Sequence, residues 1–334
     1  MDTLSPAKEA SVEVEKKVEE APDAPTVRIG LIADIQHADV ENAESAYGKI
    51  RYYRDAPRKA ELAAKDWKES GCVLAVNLGD TVDRRAGEGA SAALKRVLTS
   101  FEEFERVLHV LGNHDLSSLD ESDLALMQSG PPAGLEAEVG RGSYSDICVG
   151  PGWRLIILDT YNISVRRNAP VARKMHRQLL AEARKNKDLV GHLTEHEELN
   201  GALGEEQLHW LAMRLEAASK SCERAVIVSH ASMNPEATYY ADSMCWDWRA
   251  AEQVLEAWPQ VVAAVITGHD HFGRSATSAS GIYHRVLEAA MEGEPGVATH
   301  AVLELQGDRV ELQGRGAVQS WQTRLSSAKK ASEL

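Results

Sequence analysis

Cysteine is scarce: four in 334 residues, Cys72, Cys148, Cys222 and Cys245, far apart and with no C-x-x-C pair. That spacing fits no zinc framework and suits a reducing compartment such as the cytoplasm. Positive charge is also short. With 37 Lys and Arg against 51 Asp and Glu, the net charge is −14, which argues against nucleic acid or an anionic membrane as partner, since both need a basic footprint. A small anionic substrate stays possible, because bound divalent cations would reverse the local field. Aromatic residues make up only 5%. No apolar run approaches the roughly 18 residues of a membrane-spanning helix. There is no Walker sequence, and Gly87-Glu88-Gly89 lacks the third glycine of a dinucleotide fingerprint. Nothing implies an obligate protein partner.

What remains is ordinary for a soluble globular chain, 43% hydrophobic and 26% charged, long enough for one large domain or two small ones. Residues 1–25, with Glu13, Glu15, Lys16, Lys17, Glu19, Glu20, Pro22 and Pro25, read as a disordered acidic leader without the apolar region of a secretory signal. Apolar runs at Val27–Ala33, Val73–Leu78, Val107–Leu111, Leu155–Leu158, Ala225–Val228 and Val261–Thr267 read as buried strands. Helical periods fall at Arg58–Ser70, Ala90–Glu105, Gly204–Ala218 and Trp248–Trp258. The alternation predicts a layered α/β protein over residues 26–317. Ile282–Ala290, Thr299–Leu305 and Arg309–Leu312 add antiparallel strands, with Gly307-Asp308 as a hairpin turn. Residues 164–201 read as an inserted helical excursion, and 318–334 as a C-terminal tail. His192 and His196, four apart without a third ligand, read as a surface face.

The informative residues are those after the strands. Asp34-Ile35-Gln36-His37 follows the first, Gly79-Asp80-Thr81-Val82-Asp83 the second and Gly112-Asn113-His114-Asp115 the third. Ser229-His230 and Gly268-His269-Asp270-His271 follow two later ones. Each alone has a bland reading as a cap, a turn or a buried histidine. Five such placements, at the strand ends where open α/β sheets bind ligands, point to a metal centre.

In order and type these motifs match the signature of the calcineurin-like metallophosphoesterases. Gln36, where that superfamily normally has His, narrows the match, as do Arg51-Tyr52-Tyr53-Arg54, Leu158-Asp159-Thr160-Tyr161, Asn200-Gly201, Cys245-Trp246 and Gly314-Arg315-Gly316. Together they resemble the manganese-dependent ADP-ribose/CDP-alcohol diphosphatases. The resemblance implies an αββα sandwich with mixed sheets flanked by helices, and two divalent metal ions. Asp34, Gln36, Asp80 and His271 would hold one ion, and Asp80, Asn113, His230 and His269 the other. These oxygen and nitrogen ligands, one of them a neutral amide, suit Mn²⁺, with Mg²⁺ or Zn²⁺ possible. It also implies hydroxide attack on the phosphoanhydride of ADP-ribose or of CDP-alcohols such as CDP-choline.

His114 would be the acid or the electrostatic stabiliser of the transition state, oriented by Asp115. A phosphate leaving group with a second pKa of about 6 departs without obligatory protonation, so His114 is expected to act mainly by hydrogen bonding. Arg51 and Arg54 are candidates for the non-reacting phosphate, and Tyr52, Tyr53, Tyr239, Tyr240 and Trp246 for a stacking face. Cys245 aligns with the nucleoside side of the family's pocket, His37 reads as pocket wall, and Asp83 as a group orienting a neighbour of the ligands. Competing readings are another metallophosphoesterase (protein phosphatase, phosphomonoesterase or cyclic-nucleotide phosphodiesterase) and a scaffold of this fold without catalysis. The intact ligand set argues against the scaffold.

Overall fold

Strands whose two faces are both buried must be apolar on both, and that is why they read as continuous apolar runs. In the computed structural model, which describes residues 24–128, 130–141, 143–185, 198–240 and 243–325, the elements begin β1 (Val27–Ile32), β2 (Ala43–Glu44), β3 (Ile50–Arg51), α1 (Ala56–Glu69), β4 (Leu74–Asn77), α2 (Ala90–Ser100), β5 (Val107–His109), α3 (Asn113–Ser118) and α4 (Glu121–Met127). They continue β6 (Ala137–Val139), β7 (Ser145–Gly150), β8 (Trp153–Ile157), α5 (Ala169–Lys185), α6 (Glu205–Lys220), β9 (Arg224–Val228), α7 (Trp248–Glu256) and β10 (Val262–Thr267). The last are β11 (Ser275–Thr277), β12 (Tyr283–Val286), β13 (His300–Gln306), β14 (Arg309–Arg315) and β15 (Trp321–Arg324). Residues 1–23 of the expected leader, and the part of the excursion holding His192 and His196, lie outside the described residues.

Two mixed sheets result. One runs β15-β14-β13-β1-β4-β5 and the other β11-β12-β10-β9-β8-β7-β6. Side chains alternate along each strand. From β1 and β9, Ile29, Leu31, Val226 and Val228 enter the core between the sheets. From the opposite faces, Ile32 packs under α1 and α2 with Trp67, and Ala225 and Ile227 pack under α6 and α7. The layers are therefore helices, sheet, sheet, helices, which is the expected αββα sandwich. Gly30 marks how closely helix and sheet approach: a Cβ there would lie 2.5 Å from the Trp67 ring.

The three largest departures from the sequence-based expectation are at the second helix, the strand before Ala290 and the C-terminal tail. The second helix stops at Ser100 rather than Glu105 because Phe101 and Phe104 turn inward onto Trp67. The strand expected to reach Ala290 ends at Val286; the chain then leaves the sheet, and Ala290 N–H and Met291 N–H donate to Ala33 O and Asp34 O. The tail expected from 318 instead supplies β15, which pairs with β14 and stacks Trp321 on Tyr283 at 3.5 Å. Strands β6, β7 and β11 carry too many polar residues to be read from apolar runs.

Candidate metal centre

The loops after β1 and β4 continue to pair beyond the sheet. Asp34 N–H donates to Gly79 O at 3.2 Å and Gln36 N–H to Asp80 O at 2.8 Å. The second sheet closes on the same point, with Gly268 N–H donating to His230 O at 3.0 Å. Glycine permits the approach. A Cβ on Gly112 would lie 2.0 Å from Asp80 Oδ1, one on Gly79 2.4 Å from His230 Nδ1, and one on Gly268 2.7 Å from Asp34 Oδ2. Each motif glycine is the space its neighbouring ligand occupies.

The candidate ligands Asp34, Gln36, Asp80, Asn113, His230 and His271 are buried, and His269 is partly so. Gln36 Nε2 lies 3.1 Å from Asp80 Oδ2 and 3.0 Å from His271 Nε2, which is 3.3 Å from Asp34 Oδ1. His230 Nε2 is 3.5 Å from Asp80 Oδ2, and ligand atoms of Asp80, His230 and His269 all lie within 4.8 Å of one another. Asp80 thus touches both expected groups. Asn113 opens α3, its Oδ1 3.5 Å from the Tyr161 hydroxyl.

The residues fit a pair of cations. Asp34 Oδ1, Gln36 Oε1 and His230 Nε2 are buried without a hydrogen-bond partner, a cost of about 1–3 kcal/mol each unless something else binds them. Exchanging the Gln36 amide oxygen and nitrogen by a half-turn puts oxygen between Asp80 and His271. Each histidine spends one ring nitrogen on a neighbour: His230 Nδ1 on Leu78 O, His271 Nδ1 on Glu292 Oε1, and His269 Nε2 on Asn200 Oδ1, each at 2.8 Å. The other nitrogen of each is left for a metal, an arrangement typical of ligating histidine.

Charge is finely divided here. Against the cost of burial, Asp80 raises His230 to about 9 and Asp34 raises His271 to about 10. Burial and the His230 charge push His269 down to about 3. Asp80 itself is held well below the carboxylate range by His230 and His114, despite burial.

His114 meets Asp83 rather than Asp115: its Nδ1 lies 3.2 Å from Asp83 Oδ2, and Asp80 and Asp83 raise its pKa against burial. Asp115 instead accepts the backbone N–H groups of Thr81 (2.8 Å), Gly112 (3.1 Å) and Val82 (3.2 Å). An aspartate at the third position of α3 reaches back to its own helix start and across to the loop after β4, so it cannot also face the adjacent side chain. Burial and Asp80 push its carboxyl up to about 7.

A cleft of about 350 Å³ opens over the ligands. Arg51, Arg84 and Arg85 line it on one side, and Tyr47, Tyr240 and Ser243 elsewhere; Tyr53 reaches it although 1% exposed. The other expected substrate residues sit off the cleft wall. Arg54 pairs with Asp39 at 2.6 Å and with Glu41. Tyr52 stands over Lys59, its ring 5.4 Å from Nζ. His37 is buried against the Tyr53 carbonyl at 2.8 Å and borders a separate hollow with Asp39 and Ala86. Cys245 is buried in the core under α6 and α7, and Trp246 is packed against Ala172 and Ala202 beneath α5. Glu292, which also pairs with Lys49 (3.3 Å) and Arg51 (3.4 Å), has no motif around it and was invisible in the sequence. Tyr47 likewise lies in the turn between β2 and β3, two-residue strands that no apolar run announces.

The calcineurin-like phosphoesterase family model matches residues 27–273. The Arabidopsis thaliana protein named manganese-dependent ADP-ribose/CDP-alcohol diphosphatase is 30% identical over 312 residues, covering 89% of this chain and 96% of that one. Its namesake from Oryza sativa subsp. japonica is 31% identical, covering 87% and 91%. The crystal structure of a dimetal phosphatase from Danio rerio superposes with a TM-score of 0.76 at 29% identity, covering 90% of this chain and 99% of that one. The chain belongs to the calcineurin-like phosphoesterase family and, within it, with the manganese-dependent ADP-ribose/CDP-alcohol diphosphatases.

Proposed function

We propose that this protein hydrolyses the phosphoanhydride bond of ADP-ribose, to AMP and ribose 5-phosphate, and of CDP-alcohols such as CDP-choline, to CMP and the phosphoalcohol. The observation that carries this reading is the set of buried atoms of Asp34, Gln36 and His230 without a hydrogen-bond partner, under a cleft lined by three arginines. Asp34, Gln36, Asp80, Asn113, His230, His269 and His271 would hold two Mn²⁺ ions, which would supply Lewis acidity and an activated water.

The chain's own residues do the rest. Arg51, Arg84 and Arg85 present guanidinium forks that match phosphate oxygens. His114, steadied by Asp83, donates a hydrogen bond to the phosphoryl oxygens as charge builds on them. Asp115 holds the loops that carry Asp80 and Asn113 in register. Four free cysteines, two of them buried, support a reducing, cytoplasmic setting, and no helix among the described residues is long and apolar enough to cross a membrane.

The test is turnover of ADP-ribose, CDP-choline and p-nitrophenyl phosphate by metal-stripped protein resupplied with Mn²⁺, Mg²⁺ or Zn²⁺. Mn²⁺-dependent release of AMP and CMP with little p-nitrophenol is expected. A preference for p-nitrophenyl phosphate would overturn the substrate, and inactivity with every metal would overturn catalysis.

A further inference from the structure

We infer that Glu292 is a positioning residue that couples the metal centre to phosphate binding, holding the candidate ligand His271 and the cleft residue Arg51 through one carboxylate; this rests on the function proposed above. The Glu292 side chain is only 4% exposed. A carboxylate taken out of water is tolerated where charges and hydrogen bonds replace its lost hydration. Here Oε1 accepts from His271 Nδ1 at 2.8 Å and lies 3.4 Å from Arg51 Nε, while Oε2 lies 3.3 Å from Lys49 Nζ. A single group thus meets a candidate metal ligand and two cations of the hairpin formed by β2 and β3.

The carboxylate is not what holds its own segment in place. Glu292 ends a short 3-10 turn, Ala290–Glu292, which other bonds fix on three sides. Ala290 N–H and Met291 N–H donate to Ala33 O and Asp34 O at 2.8 and 3.1 Å, and Tyr52 N–H donates to Met291 O at 2.9 Å. The fully buried Lys59 of α1 donates from Nζ to Gly293 O at 2.7 Å. These anchors include the candidate ligand Asp34 and the residue next to Arg51, so the side chain starts from a base in register with both groups that it holds. On His271, the bond to Nδ1 fixes the ring and leaves Nε2, 3.3 Å from Asp34 Oδ1, for the metal. On Arg51, the carboxylate faces Nε, at the inner edge of the guanidinium, and the rest of the fork is held toward the cleft that Arg51 lines.

Charge alone and positioning make opposite predictions. A buried negative charge beside an anion site repels phosphate, so its removal would tighten phosphate binding, whereas removal of an anchor for Arg51 weakens it. Glu292→Gln removes the charge in nearly the same shape and keeps an oxygen for His271 Nδ1–H, and Glu292→Ala removes both. The readouts are calorimetric titration of metal-stripped protein with Mn²⁺ and of Mn²⁺-loaded protein with inorganic phosphate. Glu292→Ala should weaken one of the two Mn²⁺ sites about tenfold or more and leave the other, with Glu292→Gln recovering most of that loss. Glu292→Gln should weaken phosphate binding roughly threefold or more, yet leave it unchanged in an Arg51→Ala background. Wild-type affinity at both Mn²⁺ sites in Glu292→Ala overturns the hold on His271. Phosphate binding that is unchanged or tighter in Glu292→Gln, or weakened as much without Arg51 as with it, overturns the hold on Arg51. Either result ends the coupling, and should Glu292→Ala not fold, the phosphate cycle on Glu292→Gln decides. Neither titration needs turnover: wild-type protein that cleaves neither ADP-ribose nor CDP-choline refutes the proposed function, and the same titrations still decide the role of Glu292.

Discussion

At the scale of single residues, backbone strain marks the metal centre. Six described non-glycine residues have positive φ, and five are candidate ligands: Asp34, Gln36, Asp80, His269 and His271. Such backbone costs about 1–3 kcal/mol per residue and persists where surrounding structure over-determines it. The same ligands predict a proton balance. The folded pKa values of His230 and His271, about 9 and about 10, lie above the unfolded value of about 6.5. Their ion pairs with Asp80 and Asp34 therefore stabilise the metal-free protein fully below about pH 6.5, and that contribution is lost as pH rises through 9–10. Mn²⁺ must displace these protons, so affinity should rise with pH and calorimetry near pH 7.5 in buffers of different ionisation enthalpy should register proton release. Binding without proton release would refute this. Asp83 and Asp115 should separate cleanly. Asp83→Ala is expected to lower kcat at least about tenfold with Mn²⁺ affinity intact, since it frees His114. Asp115→Ala strands three buried N–H groups at about 1–3 kcal/mol each and should lower Tm by roughly 5 °C or more. The assignment fails if the two variants behave alike in kcat and Tm.

At the scale of elements, the main strands were legible because burial on both faces writes an apolar run ended by a polar motif, as in β1, β4, β9 and β10. The edge strands were not. β15 has alternating partial exposure, and nothing in Trp321–Arg324 by itself says that β14 will pair with it. Chain shortened after residue 317 loses that pairing and the Trp321–Tyr283 stack, and leaves β14 as an open edge. Its Tm should fall below that of chain ending at 325, with more aggregation on heating. Equal melting of the two would mean that β15 contributes nothing.

At the scale of the molecule, the candidate ligands come from both sheets, so a bound pair of ions would clamp the sandwich at the ends of β1, β4, β5, β9 and β10. Ions bound to the folded state alone stabilise it by mass action, about 2.7 kcal/mol for each site at a hundredfold excess over Kd. Mn²⁺ should therefore raise Tm over chelator-treated protein by about 5 °C or more. No shift would mean that the sheets do not need the ions to stay together. The sequence by itself determined the αββα class and the ligand motifs, because backbone alternation and motif spacing are local properties of the chain. Tertiary structure decided which side chains share the cleft. It turned Arg54 to Asp39, buried Cys245 and Trp246, set Asp83 against His114, and carried Glu292 to His271 and the stacked Tyr47 and Tyr240 to the cleft. Those are contacts between residues from 15 (Arg54 and Asp39) to 193 (Tyr47 and Tyr240) positions apart, and they follow from how the chain packs, which no local pattern encodes.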